Sequence, residues 1–150
     1  MKEMKKVDIY SDGACLKNPG PGGWCAVLTY NGTEKILSGG EAYTTNNKME
    51  LTAVISGLEA LKEPCEVSVY TDSRYVTDGI SLGWAVKWQK NNWIKSDKKP
   101  ALNIDLWERL LNVLDKHEVN FIWIKGHSGH EYNELCDLTA KKEAQTFLSH

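Results

Sequence analysis

Four carboxylates stand at positions where chemistry would explain them better than folding does. Asp12 closes the alternating run Val7 to Asp12, and Asp72 follows the β-branched run Val67 to Thr71, so both fall at the carboxyl ends of predicted strands. In open α/β sheets those ends form the usual ligand crevice, and two acids there are placed for catalysis if their strands are neighbours. Asp also favours strand exits because of the turns it makes with its own backbone, so neither residue decides the matter alone. Glu50 precedes Ala53 and Val54 by three and four residues on one helical stripe, and Asp137 shares a stripe with Ala140, Ala144 and Leu148. A carboxylate turned toward a core is costly unless a cation, donors or solvent reach it. For Glu50 the competing explanation is a capping box, Asn47-Lys48-Met49-Glu50. Four such acids call for positive charge between them, and hard carboxylate oxygens select Mg²⁺ or Mn²⁺ over zinc.

Two other groups of residues could act on a substrate. Lys125-Gly126-His127-Ser128-Gly129-His130 is a glycine-flanked loop whose imidazoles could shuttle protons, while HxxH without a third ligand is a poor zinc motif. Between residues 79 and 100, Lys87, Lys90, Lys95, Lys98 and Lys99 face the single acid Asp97, although the whole chain carries a net charge of −2. One segment is therefore basic and the remainder acidic, as for a localised phosphate-contacting patch or, more blandly, a solvated lysine face.

The elements that must position these groups can be read from pattern. A Gly/Pro loop (18–23) follows the first strand, and Trp24 to Tyr30 joins Thr33 to Ser38 through the hairpin signal Asn31-Gly32. From Asn47 the period becomes helical until Pro64 stops it; the strand Val67 to Thr71 follows, then a brief helix near Ser73 to Asp78. A helix carrying Ile104, Trp107, Leu110, Leu111 and Leu114, a last strand over Phe121 to Ile124, and a final helix from Tyr132 to Phe147 complete the order. Hairpins followed by alternation imply an α/β mixed sheet with helices on its faces.

Composition excludes several classes. With 150 residues, 41% hydrophobic and 25% charged, the chain matches a single globular domain spanning 1–150 and not a collagen, coiled coil or disordered segment. No apolar run approaches the length of a membrane span, and no h-region follows the N-terminal lysines, so a cytoplasmic location is expected. Cys15, Cys25, Cys65 and Cys136 contain no CxxC pair and imply neither a disulfide framework nor a zinc site.

Taken together and in order, Tyr10-Ser11-Asp12-Gly13-Ala14-Cys15, Asn18-Pro19-Gly20-Pro21-Gly22-Gly23-Trp24, Thr44-Thr45-Asn46-Asn47-Lys48-Met49-Glu50-Leu51, Tyr70-Thr71-Asp72-Ser73-Arg74-Tyr75-Val76 and Lys125-Gly126-His127-Ser128-Gly129-His130 with Asn133-Glu134 and Cys136-Asp137 closely resemble the bacterial ribonuclease HI family. The resemblance covers nearly the whole chain and includes Asp97-Lys98-Lys99-Pro100 and Asp105-Leu106-Trp107. It implies a ribonuclease H-like fold, a five-stranded mixed sheet of three antiparallel strands and then two parallel ones, flanked by helices.

The activity implied is endonucleolytic cleavage of the RNA strand of an RNA–DNA hybrid by a monomer, using two Mg²⁺ ions, with Mn²⁺ as a possible substitute, to leave 5′-phosphate and 3′-hydroxyl ends. Asp12, Glu50, Asp72 and Asp137 fall on the family's metal-binding carboxylates and His127 on its catalytic histidine. By the same resemblance Asp12 bridges the ions, Glu50 and Asp72 serve one, and Asp137 serves the other. Cys15, Asn18, Thr45, Asn46 and Asn47 match positions that touch sugars and phosphates, and Trp84, Lys87, Trp88, Lys90, Lys98 and Lys99 match a basic protrusion. Arg74 stands where an amide is common, and Tyr75 to Trp93 is one residue longer than the family form, with Gly83 interrupting its helix. The other readings are a hybrid-binding module without catalysis, which the intact set of acids opposes, and a DNA-cutting nuclease of the same fold.

Overall fold

The computed structural model describes residues 4–95, 97–99, 101–126 and 130–148. Its sheet is built from β1 (Lys5–Cys15), β2 (Gly20–Tyr30), β3 (Thr33–Thr44), β4 (Cys65–Thr71) and β5 (Glu118–Trp123), in the order β3-β2-β1-β4-β5. The first three strands pair antiparallel, and β1, β4 and β5 pair parallel. Asn31 and Gly32, both at positive φ, close the β2–β3 hairpin as their types predict. The helices are α1 (Asn46–Glu59), α2 (Arg74–Ser81), α3 (Trp84–Lys90), α4 (Ile104–Leu114) and α5 (Glu131–Gln145).

Alternation along β1 and β4 sends Val7, Ile9, Val67 and Val69 to one face, where they pack with Leu51, Val54, Ile55 and Leu58 of α1. Each such side chain withdrawn from water contributes about 1.5–3 kcal/mol. Trp107 and Leu110 of α4 join this core, and the buried Trp107 indole N–H donates to the Tyr75 hydroxyl at 2.9 Å, so its polar edge is satisfied. On the other face α5 places Cys136 with Cys25 and Val27 of β2.

Several boundaries differ from the sequence expectation. Strand β3 continues to Thr44 because Gly39 and Gly40 pair in register with Trp24 and Gly23, although glycines carry no alternating apolar signal. Helix α1 is capped by Thr45, whose hydroxyl accepts from the Lys48 N–H at 3.2 Å, so Asn47 lies inside the helix and the capping-box reading of Glu50 is corrected. Ser73 is the cap of α2, which runs on to Ser81. Leu148 leaves the α5 stripe, because the helix ends at Gln145 and a 3₁₀ turn over Thr146–Leu148 turns it into solvent.

Candidate active site

The topology makes neighbours of residues far apart in sequence. β1 and β4 are adjacent and parallel and pair as far as Tyr10 and Tyr70, so Asp12 and Asp72 follow side by side; only Asp72 ends its strand, since β1 runs past Asp12 to Cys15 in its pairing with β2. α1 crosses the sheet so closely that a Cβ on Gly13 would collide with the backbone of Met49 and Glu50. That approach brings Glu50, in the second turn of α1, over the end of β1. Ligand oxygens of Asp12, Glu50 and Asp72 lie within 4.8 Å of one another.

Electrostatics confirm the strain of this arrangement. Asp12 is 7% exposed and Glu50 4%. Burial, followed by the charges of Asp72 and Asp137, pushes the Asp12 carboxyl up to about 8. Burial and the charges of Asp12 and Asp72 likewise hold Glu50 well above the ordinary carboxylate range. With both acids raised, the metal-free cluster favours protonated carboxyls. One Asp12 oxygen accepts from the Gly13 N–H at 2.9 Å, whereas Glu50 Oε2 has no hydrogen-bond partner among the described residues. A buried all-oxygen cluster, short of donors and crowded with like charge, fits a divalent cation.

Asp137 stands at the margin of this cluster. Its charge helps to raise Asp12, and it also forms an i,i+4 ion pair with Lys141 at 3.0 Å, so part of that charge is met within α5. Asp12, Asp72 and Asp137 line a small cleft with Ser11, Ile124, Gly126, His130, Asn133 and Glu134. His127 lies outside the described residues, while His130, three positions on, is the N-cap residue of α5.

A wider, more open cleft joins the acids to Gly13, Cys15, Asn46, Asn47, Ser73, Arg74 and Lys141. It gathers several of the residues expected to touch a substrate, and the structure also gives some of them work in the fold. The Cys15 thiol sits against the backbone carbonyls of Lys17, Gly20 and Thr44, Asn18 Oδ1 accepts from the Asn46 N–H at 3.1 Å, and Thr45 caps α1. Asn18, Thr45 and Asn47 face a second groove with Tyr43, Leu102 and Asn103. The basic segment stands apart on α3 and the loop after it, with Lys87, Lys90, Lys98 and Lys99 exposed. Gly83 at φ 76° separates α2 from α3, as the sequence suggested. The two tryptophans of α3 divide: Trp88 packs edge-on to Trp107 at 6.0 Å against the core, and Trp84 remains 38% exposed.

Sequence reasoning missed Trp123 and Lys141 as parts of the site, and quoted Gly126 and Asn133 only as motif residues without giving them a place in it. The i,i+4 spacing of Asp137 and Lys141 could have revealed the lysine, whereas Trp123 meets Asp72 only across the β4–β5 pair.

The chain matches the family model for RNase H over residues 4–145. It is 59% identical over 137 residues to the ribonuclease H of Thermoanaerobacter sp., covering 91% of this chain and 88% of that one. To the ribonuclease H of Caldicellulosiruptor saccharolyticus it is 58% identical over 138 residues, covering 92% and 95%. Among solved structures it is similar to LC9-RNase H1, a type 1 RNase H with the type 2 active-site motif, with a TM-score of 0.86, 29% identity, and coverage of 97% of this chain and 75% of that one. LC11-RNase H1, solved in complex with an RNA/DNA hybrid, has the same fold at a TM-score of 0.72 and 24% identity, covering 95% and 99%. A carboxylate cluster at the paired ends of β1 and β4, within a match that spans almost the whole chain, places this protein in the RNase H family.

Proposed function

We propose that this ribonuclease H cuts the RNA strand of RNA–DNA hybrids by two-metal-ion hydrolysis, acting as a cytoplasmic monomer through one catalytic domain. The observation that carries the reading is the convergence of Asp12, Glu50 and Asp72 within 4.8 Å, with burial and mutual repulsion lifting Asp12 to about 8. Asp12, nearest the centre, would be shared between two Mg²⁺ or Mn²⁺ ions, Glu50 and Asp72 would complete one set and Asp137 the other. When bound, such a pair activates water and stabilises charge on the phosphoryl and leaving oxygens. Water attacking the phosphorus would break its bond to the 3′ oxygen and so leave 5′-phosphate and 3′-hydroxyl ends, while His127 would take up and return a proton at a ring nitrogen.

Discrimination requires a groove that senses a 2′-hydroxyl on one strand only. Asn46, Asn47 and Cys15, beside the acids, present small and amide groups suited to sugars. Arg74 and the exposed lysines supply phosphate contacts, and the hybrid bound by LC11-RNase H1 supports the same substrate class here. A labelled hybrid, a DNA duplex and an RNA duplex incubated side by side in Mg²⁺ test the reading. Cleavage of the RNA strand of the hybrid alone is expected; cleavage of duplex DNA, or binding without cleavage, would overturn it.

A further inference from the structure

The exit of β5 is fastened to the exit of β4 at three points, and all three bear on Asp72. The Ile124 N–H donates to the Thr71 carbonyl at 2.9 Å, continuing the ladder in which Thr71 pairs with Trp123. The Trp123 indole N–H donates to the Asp72 backbone carbonyl, also at 2.9 Å. Gly126 then packs so closely that a Cβ there would stand 2.7 Å from Asp72 Oδ2. Asp72 lies between the last ladder pair of β4 and the Ser73 cap of α2, so its orientation is governed by what β5 sends across.

The same indole has a second neighbour. The Arg74 guanidinium carbon lies 3.7 Å from the Trp123 ring centroid, a stacked cation–π distance, although Arg74 is exposed and Trp123 is 36% exposed. An exposed arginine samples many rotamers, and stacking on a ring that is itself tied to the backbone restricts it. Asp72 and Arg74 line one cleft, so a single side chain holds a metal-binding acid by its edge and an anion-binding cation by its face.

We propose that Trp123 is a positioning residue of this enzyme, aligning the Asp72 carboxylate for metal and presenting Arg74 to a phosphate of the bound hybrid. The inference rests on the function proposed above. Its two arms separate by substitution. Trp123→Phe keeps a ring under Arg74 and removes the N–H, so kcat should fall about fivefold, the value of one hydrogen bond, with KM near wild type. Titration with Mg²⁺ alone, followed by calorimetry, should show a matching loss of affinity. Gly126→Ala, which pushes Asp72 from its carboxylate side, should reproduce that pattern.

Trp123→Leu removes both interactions and should also raise KM about two- to fivefold, the range of one exposed cation–π pair. Arg74→Met should raise KM in the wild-type background and raise it less in the Trp123→Leu background, where the guanidinium is no longer pre-oriented. A merely structural tryptophan would lower the melting temperature without dividing kcat from KM in this way. Unchanged kcat and Mg²⁺ affinity in Trp123→Phe, or an Arg74→Met effect equal in both backgrounds, would overturn the proposal. Mg²⁺ titration and the binding of uncut hybrid need no turnover, so they judge Trp123 even if the wild-type chain fails to cleave hybrids.

Discussion

The carboxylate cleft and the basic protrusion are built in opposite ways. Asp12, Glu50, Asp72 and Asp137 come from β1, α1, the exit of β4 and α5, and three of them converge only because the sheet order places β1 beside β4 and α1 packs across β1. The protrusion comes from one contiguous stretch, α3 and the loop after it, with Asn92, Trp93 and Lys98 at positive φ and its lysines in water. Charge in the cleft is buried, like-signed and costly; charge on the protrusion is exposed and well solvated. The first arrangement suits a centre that must be rigid before substrate arrives. The second suits attraction to a polyanion, which needs neither fixed rotamers nor fixed distances.

If that contrast is sound, the largest effects belong to the cleft. Asp12→Asn or Asp72→Asn should abolish turnover while raising the melting temperature of the metal-free chain, because each removes a carboxyl that folding forces into a cluster of like charge. The amide oxygen introduced by Asp12→Asn could still accept from the Gly13 N–H, so the local hydrogen bond survives. Hybrid cleavage assays and thermal melts in EDTA check both halves, and wild-type-like cleavage by either mutant would break the assignment.

His127→Ala sharpens the contrast within the cleft. A residue that moves a proton contributes roughly 10²–10⁴-fold and leaves metal binding in place, so the mutant should be slow in kcat and normal in Mg²⁺ affinity. His130 lines the same cleft and is the natural control. If His130→Ala is slow and His127→Ala is not, the proton-handling role passes to His130.

A smaller effect should appear in stability against pH. The Asp12 carboxyl is raised from 3.8 to about 8 in the folded chain, and Glu50 is raised as well, so between those limits the folded state holds more protons than the unfolded one. Stability from these groups is fully present below the unfolded value and is lost as pH rises toward about 8, by about 1.4 kcal/mol per pH unit for each proton. Denaturant melts in EDTA from pH 5 to 8 should show this decline, and saturating Mg²⁺ should flatten it by taking the proton's place. A metal-free chain that gains stability over that range would contradict the buried-acid description.

How much of this was legible in the sequence follows from the same contrast. The four acids were legible because each broke a local pattern, either ending an alternating run or interrupting an apolar stripe. Their convergence was not, since strand order depends on pairings between residues dozens of positions apart. Trp123 read as one more apolar residue in the run Phe121 to Ile124, and its tie to Asp72 exists only across the β4–β5 pair. Thr45 was passed over as the α1 cap because Asn46 and Asn47 are equally good cap types one and two residues later. The protrusion needed no long-range information: its lysines are close neighbours in sequence, and Gly83 announced its own break.

The smallest effects should lie on the protrusion. Replacing Lys87, Lys90, Lys95, Lys98 and Lys99 together by Ala should raise KM, leave kcat close to wild type, and lower the log–log salt slope by about 0.9 for each phosphate no longer neutralised. Kinetics at several salt concentrations would detect it, and an unchanged slope would reduce the cluster to a solvated face.

The most direct test of the buried carboxylate cluster as a divalent-metal site is calorimetric titration of the metal-free chain with Mg²⁺ at pH 7 in two buffers of different ionisation enthalpy. Because Asp12 is raised to about 8 and Glu50 is raised as well, the metal-free cluster holds protons at pH 7, and metal binding should release them. Asp72→Asn should bind far more weakly. Binding without proton release, or binding unaffected by Asp72→Asn, would show that the metal is held elsewhere.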